Sequence, residues 1–263
     1  MPNSGFYLTE GDKQYYNFNH QMKKALHLLK VVFIKSVHAV RIAFGAYKKL
    51  AITDLDRVKP ISSCYGFDRG TPVDRYYIEK FFYNNRQYIK GRILEIGEDQ
   101  YASRYARLNE TATEESVVEA LHYDKNKEET PDLTKPQTLP ENRYDCFLCQ
   151  QTYNFIFDVS KALEGSYQLL KDGGVLLATV AGIAQISRSD MERWGEYWRF
   201  TNKSLELLFK ETRFSQVEIV PMGNVMAACA FLQGIALEEL PKKELLDVMD
   251  ENYQLIIGIR AIK

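Results

Sequence analysis

The chain has 263 residues, of which 45% are hydrophobic and 26% are charged, and its formal net charge at pH 7 is -1. This balance is typical of a globular protein and provides no positive field that would attract nucleic acid, so we expect no nucleic-acid partner. Lys30, Lys35 and Arg41 interrupt the most hydrophobic early stretch, which is therefore too short to span a membrane. Residues 1–10 lack the basic start and apolar core of a signal peptide, and four cysteines do not indicate a disulfide scaffold, so a cytoplasmic location is expected.

The first predicted element is a long amphipathic helix over residues 22–50. At about 100° per residue, its basic side chains gather on one side of the helix; they are Lys23, Lys24, His27, Lys30, Lys35, His38, Arg41, Lys48 and Lys49. Such a helix either buries its apolar stripe against protein or lies on an anionic membrane surface, and we favour packing. The sequence therefore predicts an N-terminal helical extension over residues 1–60. Packing within the chain, a homodimer, and peripheral membrane contact through residues 22–50 stay open.

A second predicted domain covers residues 61–263 and begins with a turn-rich stretch. Its predicted strands are 93–96, 116–121, 144–149, 175–180, 216–220 and 253–261, and its predicted helices are 74–88, 101–108, 158–170, 202–210 and 225–237. Strands that alternate with helices are typical of an α/β fold with a doubly wound, mostly parallel sheet. In such a sheet, the polar loop over residues 124–143 would leave a strand beside the ligand crevice.

Cys146 and Cys149 form a C-x2-C pattern inside the predicted strand 144–149. Residues three apart on a strand point to opposite faces, so the two thiols cannot share a metal ion. No second Cys/His pair follows at zinc-finger spacing. We therefore interpret both residues as core cysteines.

The segment RILEIGE, residues 92–98, has the form of a buried strand that ends in a tight turn. Turns of this kind let backbone N–H groups approach a nucleotide-like ligand at a helix start. Gly97 would permit that close approach. Glu119 follows on the next predicted strand, at a spacing where an acid can accept hydrogen bonds from ribose hydroxyls, although a solvated charge or a helix cap is the alternative.

Six segments, in this order, resemble class I S-adenosylmethionine (SAM)-dependent methyltransferases: KGRILEIGEDQYASRY, VEALHYD, DLT, YDCFLCQQTYNFIFD, LLKDGGVLLATVAG and YWRFT. The closest similarity is to the small "type 11" group that is often encoded beside glycosyltransferases in bacterial polysaccharide clusters. The resemblance covers about residues 65–263. It implies a Rossmann-like, doubly wound and mostly parallel seven-stranded sheet, with SAM as the cofactor.

The resemblance also implies a cofactor site. Glu95 and Gly97 would face the methionine part of SAM, Glu119 would hold the ribose, and Asp132 would meet the adenine amino group. Further residues would line or cover the site, namely Gln150, Gln151 and Tyr153 after the strand 144–149, and Arg69 and Arg75 as partners of the cofactor carboxylate. For either arginine, a surface salt bridge is the alternative.

One departure from the group's pattern concerns the glycine loop. Gly97 is followed by Glu98 and Asp99, where the group usually carries a second glycine. Less glycine leaves less room and less backbone freedom beside a ligand. A non-catalytic relative of the fold is therefore retained as an alternative.

Residues 182–201 follow the strand 175–180 and should overhang the acceptor side of the cleft. Their aromatic and charged side chains suit a sugar with anionic groups, and the predicted substrate-binding residues are Arg188, Arg193, Trp194, Tyr197 and Trp198. The alternative is a helix that buries the two tryptophans. Asp190 is the first candidate for the general base, followed by His122 and Tyr153. No carboxylate cluster suggests a divalent metal, and none is expected.

The sequence thus predicts a SAM-dependent O-methyltransferase. The expected acceptor is a hydroxyl of a sugar, nucleotide sugar or glycolipid intermediate of surface-polysaccharide synthesis. A non-catalytic interaction protein with the same fold is one alternative. A peripheral membrane module that works through the basic helix is the other.

Overall fold

The computed structural model describes residues 58–97, 100–112, 115–121 and 131–263. Within it, Lys59–Lys263 forms a compact unit. The helix predicted over residues 22–50 lies outside the described residues, and so does most of the predicted extension. No helix in the described ranges is long and apolar enough to cross a membrane.

Six strands and six α-helices follow one another along the described chain. The strands are β1 (Arg92–Ile96), β2 (Val117–Leu121), β3 (Tyr144–Gln150), β4 (Leu170–Ala181), β5 (Gln216–Met222) and β6 (Ile256–Ile262). The helices are α1 (Val73–Asn84), α2 (Gln100–Arg107), α3 (Val159–Leu169), α4 (Arg188–Trp194), α5 (Asn202–Lys210) and α6 (Val225–Gln233). Short 3-10 turns join several of them.

The described strands form one sheet in the order β2-β1-β3-β4-β6-β5. Neighbouring strands from β2 to β4 are parallel, whereas β6 runs antiparallel to both β4 and β5. The predicted α/β alternation is confirmed. The predicted mostly parallel, seven-stranded sheet is confirmed only in part, because the described ranges contain six strands and their sheet is mixed.

Helices cover both faces of the sheet, and the hydrophobic core is divided accordingly. On one face, α1, α2 and α6 pack on strand residues such as Ile93 and Cys146. On the other face, α3 and α5 pack on residues such as Leu94 and Cys149. Cys146 and Cys149 are fully buried on opposite faces, and burial raises the pKa of both thiols. The prediction of two core cysteines is confirmed.

Local capping explains where several helices begin and end. Asp158 accepts a hydrogen bond from the Lys161 N–H at the start of α3. Thr201 and Ser204 form a reciprocal capping box at the start of α5, which has the predicted bounds. The helix predicted over 225–237 ends earlier, at Gln233, because Gly234 adopts the left-handed conformation with φ of 67°.

Gly165 on α3 provides a test of how closely the helix packs. A Cβ atom at this position would lie 2.2 Å from the backbone oxygen of Leu133. We expect Gly165→Ala to lower the free energy of unfolding by about 1–3 kcal/mol, because the helix must move away from that oxygen. Thermal unfolding measures the change, and Glu164→Ala on the exposed side of the same helix is the control. Equal melting temperatures for both variants would contradict the close approach.

Candidate functional site

The strand order places a crevice between the carboxyl ends of β1 and β3. The chain leaves β1 for β2 on one side and then returns to β3 on the other side of β1. In open α/β sheets, ligands bind where the strand order reverses in this way. Glu95 is paired with Leu148 across β1 and β3, so Gly97 follows β1 about level with Gln150, the last residue of β3.

Glu95 forms the base of this crevice. Its side chain is almost fully buried, and its carboxylate accepts hydrogen bonds from the backbone N–H groups of Tyr101, at 3.3 Å, and Ala102, at 2.7 Å. These N–H groups belong to the first turn of α2, where the helix dipole favours a negative charge. Glu95 therefore fixes the start of α2 against the end of β1, because its carboxylate is hydrogen-bonded to backbone N–H groups of the protein itself.

Gly97 makes the turn that follows β1. Its N–H donates to the Leu121 backbone oxygen at 3.0 Å, and its φ is 88°, a conformation that favours glycine. Among the described residues, a Cβ atom at Gly97 would meet no heavy atom within 4 Å. Open space therefore lies beside the turn, as the predicted contact with a ligand requires.

The opposite wall is formed by the end of β3, at Gln150, and by the next residue, Gln151. Gln151 has a φ of 47°, which is rare for a residue with a side chain, and its N–H donates to the Thr179 backbone oxygen at 2.8 Å. Within the described chain, the Gln151 Nε2 and Thr179 Oγ1 atoms are both buried without a hydrogen-bond partner. A buried polar group left unpaired costs about 1–3 kcal/mol, so unpaired groups in a crevice indicate where a ligand or water binds.

The first turn of α1 presents a second set of unpaired polar atoms. In the described chain, Asp74 Oδ1 and Arg75 Nη1 are buried and have no hydrogen-bond partner. Burial raises the pKa of Asp74, and the neighbouring Arg75 opposes that rise. Burial also raises the pKa of Tyr101, at the start of α2, while the charge of Arg75 and a side-chain hydrogen bond with Arg75 lower it. One carboxyl oxygen of Asp74 and one guanidinium nitrogen of Arg75, on consecutive residues, are thus left without a hydrogen bond in the described chain.

Arg69, the other arginine predicted to meet the cofactor, is engaged elsewhere. Its guanidinium forms a two-pronged salt bridge with Glu239, with Nε 2.9 Å from Oε2. The pair is partly exposed. The structure therefore separates the two arginines: Arg69 forms the surface salt bridge that was the alternative, and Arg75 keeps an unpaired nitrogen.

Glu119 lies two residues before the end of β2 and has three cationic or hydroxyl partners. Its carboxylate accepts hydrogen bonds from Arg92 at 2.7 Å, Tyr144 at 2.8 Å and Arg143 at 3.0 Å. These residues lie at or just before the starts of β1 and β3. The ribose role of Glu119 stays a prediction, and it would require the carboxylate to leave these donors.

The acidity of Glu119 gives a test of this cluster. Partial burial raises its pKa, but hydrogen bonds from Arg92, Tyr144 and Arg143 outweigh that effect and lower the pKa overall. A lowered folded-state pKa stabilises the fold at neutral pH, and that contribution is lost as the pH falls through the lowered pKa. We expect Glu119→Gln to reduce the melting temperature at pH 7 and to have little effect at acid pH.

Melting temperatures of the wild type and of Glu119→Gln, compared at pH 7 and at acid pH, measure the effect. Glu164→Gln on the exposed side of α3 is the control. A deficit of Glu119→Gln that is the same at neutral and acid pH would contradict the ionic cluster.

Asp132 lies in a tight turn before α3. Its Oδ1 accepts hydrogen bonds from the Thr134 N–H at 2.9 Å and the Thr134 hydroxyl at 2.8 Å, and its Oδ2 lies 3.4 Å from Lys135 Nζ. These contacts stabilise the turn. The predicted contact with adenine stays a prediction.

Tyr153, a candidate for the general base, lies in the core, and its catalytic role stays a prediction. Its side chain is 1% exposed in the core between β3 and α3, and its hydroxyl is hydrogen-bonded to Ser166 Oγ at 2.8 Å. Burial raises the pKa of Tyr153 well above its ordinary value. Its hydroxyl therefore has its hydrogen-bond partner within the core. His122, another candidate base, lies outside the described residues.

The segment after β4 contains α4, which has no buried residue. Asp190 lies in its first turn, where the Asp190 N–H donates to Ser187 Oγ at 3.3 Å. Arg188 is exposed, and the Arg193 guanidinium stacks on Trp194 at 4.7 Å from the ring centroid. Tyr197 and Trp198 are exposed. The alternative that both tryptophans are core residues is wrong for Trp198, and the substrate roles of these residues stay predictions.

Two residues of interest escaped the sequence interpretation. Asp74 was indistinguishable from the acids that commonly occupy the first turn of a helix. Phe157 stands beside the helix cap Asp158 in a largely apolar stretch, which is typical of a core residue, yet its ring is exposed next to Tyr197 and Trp198. Only tertiary structure reveals either role.

No protein-family model and no curated protein matches the sequence. Among solved structures, the chain is similar to a SAM-dependent methyltransferase from Archaeoglobus fulgidus, with 11% identity over 72% of this chain and 94% of that chain and a TM-score of 0.45. It is also similar to the Haemonchus contortus phosphoethanolamine N-methyltransferase 2 in complex with S-adenosyl-L-methionine, with 17% identity, coverage of 66% of this chain and 49% of that chain, and a TM-score of 0.43. A Bordetella parapertussis chain described as a possible exported protein gives 13% identity, coverage of 75% and 71%, and a TM-score of 0.47. At these low similarities, the alignments alone assign neither ligand nor activity.

Proposed function

We propose that the chain is a class I SAM-dependent methyltransferase. The observation that carries the proposal is the crevice at the switch point between β1 and β3, where the open turn at Gly97 faces a wall with the unpaired amide of Gln151. The order of the sequence motifs supports the same assignment. The described residues fit the cofactor, because the unpaired atoms of Arg75 and Asp74 match the two charged groups at the amino-acid end of SAM.

The α-amino-acid end of SAM carries a carboxylate and an ammonium group. Arg75 Nη1 would bind the carboxylate, and Asp74 Oδ1 would bind the ammonium group, which would remove the cost of their burial. The Gly97 turn leaves room for the adjoining part of the molecule. Bound there, SAM would supply a methyl group on a sulfonium for in-line transfer.

The particular activity that we propose is O-methylation of a sugar, nucleotide sugar or glycolipid intermediate of surface-polysaccharide synthesis. The "type 11" resemblance supports this acceptor class. Transfer to a hydroxyl requires a base that takes up the hydroxyl proton, and Asp190 is the described candidate. It lies after β4, and residues after that strand would overhang the acceptor side of the crevice.

A non-catalytic relative of this fold is the second candidate. Glu98 in place of the usual second glycine is the observation that favours it. Such a protein would bind a partner without methyl transfer. Turnover of SAM with any glycan acceptor would exclude this candidate.

The turn at Gly97 gives the first test. Gly97→Ala would place a methyl group in the open space, and we expect it to weaken SAM binding about tenfold or more because ligand and methyl group compete for that space. Isothermal titration calorimetry measures the affinity.

Gly173→Ala is a matched control for this test. Gly173 also has a positive φ, 76°, and open space around an added Cβ, but it lies near the amino end of β4. Both variants carry the same left-handed strain of about 1–2 kcal/mol. Wild-type protein that does not bind SAM would exclude the proposed cofactor, and equal affinity in both variants would exclude the Gly97 contact.

The two arginines give a second test. We expect Arg75→Met to weaken binding of S-adenosylhomocysteine by on the order of thirtyfold, because the cofactor carboxylate loses its buried partner. Binding of methylthioadenosine, which lacks the amino-acid end, should not change. Arg69→Met is the control, because Arg69 is paired with Glu239. An equal loss for both ligands in Arg75→Met would contradict the proposed contact.

A further inference from the structure

Three exposed aromatic rings lie together beyond the carboxyl ends of β3 and β4. Phe157 is 68% exposed, Tyr197 50% and Trp198 39%. The Phe157 and Trp198 rings are stacked, with centroids 5.9 Å apart and planes 28° apart. Tyr197 meets Phe157 edge-on, at 5.4 Å and 75°. We call these three residues the aromatic corner.

Hydrogen bonds, several of them to the buried Asn154, hold the backbone of the aromatic corner in place. Asn154 is 2% exposed, and its Nδ2 donates to the Trp198 backbone oxygen at 2.9 Å, while its own backbone oxygen accepts from the Tyr197 N–H at 2.9 Å. Its Oδ1 accepts from the Ala181 N–H, at the end of β4, at 3.2 Å. The indole N–H of Trp198 donates to the Ile156 backbone oxygen at 3.1 Å. The Trp198 indole and the backbone that carries the Tyr197 and Trp198 rings are therefore positioned before any ligand binds.

Gly195 sets the position of Tyr197. It ends α4 with a φ of 83°, and a Cβ atom there would lie 2.3 Å from the Tyr197 hydroxyl oxygen. Any residue with a Cβ atom at this position would overlap the Tyr197 side chain. The Tyr197 ring consequently lies close against the backbone that leads from α4.

A fixed surface of this kind suits a small rigid ligand, because little side-chain entropy remains to be lost on binding. The electron-rich ring faces attract the polarised C–H groups on the flat side of a pyranose. The adjacent ion pair of Asp158 and Lys161, 2.9 Å apart, offers an acceptor and donors to ring hydroxyls. The corner also continues directly from the Gln151 wall of the crevice, since Asn154 follows three residues later.

We propose that the aromatic corner binds the apolar face of a sugar ring in the methyl acceptor. This inference rests on the proposed function, because it supplies the acceptor subsite of the same crevice. Phe157 is the central ring of the subsite. Asn154 is a positioning residue that holds the other two rings.

Saturation-transfer difference NMR tests the inference on the full chain with S-adenosylhomocysteine present. The probes are the methyl glycosides of glucose, galactose, mannose, N-acetylglucosamine and rhamnose. We expect saturation to reach the axial ring hydrogens of at least one probe and to fall severalfold in Phe157→Ala. Phe157→Leu, which keeps apolar volume without a ring, should behave like Phe157→Ala. Tyr83→Ala, which removes a ring 49% exposed at the end of α1, is the control and should keep the signal.

The outcomes separate this inference from the proposed function. A signal that is lost in both Phe157 variants and kept in Tyr83→Ala supports the subsite, even if S-adenosylhomocysteine itself does not bind. No transfer to any probe, while S-adenosylhomocysteine binds, overturns the subsite and leaves the cofactor proposal intact. A signal that Phe157→Ala does not change also overturns it.

Discussion

The hydrogen bonds between the buried carboxylate of Glu95 and the first turn of α2 are the interaction on which the crevice depends. A buried carboxylate without donors would cost several kcal/mol, so α2 must begin where its N–H groups can reach Glu95. The chain is then left with only a short turn after β1, and Gly97 adopts the left-handed conformation within it. The same contact positions Tyr101 within reach of a side-chain hydrogen bond with Arg75. One buried charge thus sets both the floor of the crevice and the polar group at its side.

Much of the fold could be predicted from the sequence, because hydrophobic periodicity and local capping determine most elements. The bounds of α5 were predicted from its pattern, and its capping box at Thr201 supplies the physical reason. The end of α6 was missed because the apolar pattern continues past Gly234, whose backbone conformation interrupts the helix. The number of strands and the direction of β6 depend on tertiary pairing, which periodicity does not report.

The candidate site was less predictable, since its residues are distinguished by distant partners. Arg69 and Arg75 are alike in sequence context, yet Glu239, far along the chain, pairs with only one of them. Glu119 has the spacing of a ribose ligand, but residues at the starts of β1 and β3 surround its carboxylate. Tyr153 follows β3 as expected, but the burial of its ring could not be foreseen from that position. Strand ends and glycine turns in the sequence indicate where a site lies. Which side chains are free to bind a ligand there depends on their hydrogen-bond and salt-bridge partners in the folded chain.

The two walls of the crevice are anchored independently. Glu95 secures the wall that begins with Gly97, and Asn154 secures the wall that carries the aromatic corner. In-line transfer requires donor and acceptor to be held on a common axis, and misplacement by about 1 Å can cost on the order of a hundredfold in rate. Here the relative position of the walls is set by the parallel pairing of β1 with β3 and of β3 with β4. The sheet therefore sets the alignment of the two walls, as the proposed methyl transfer would require.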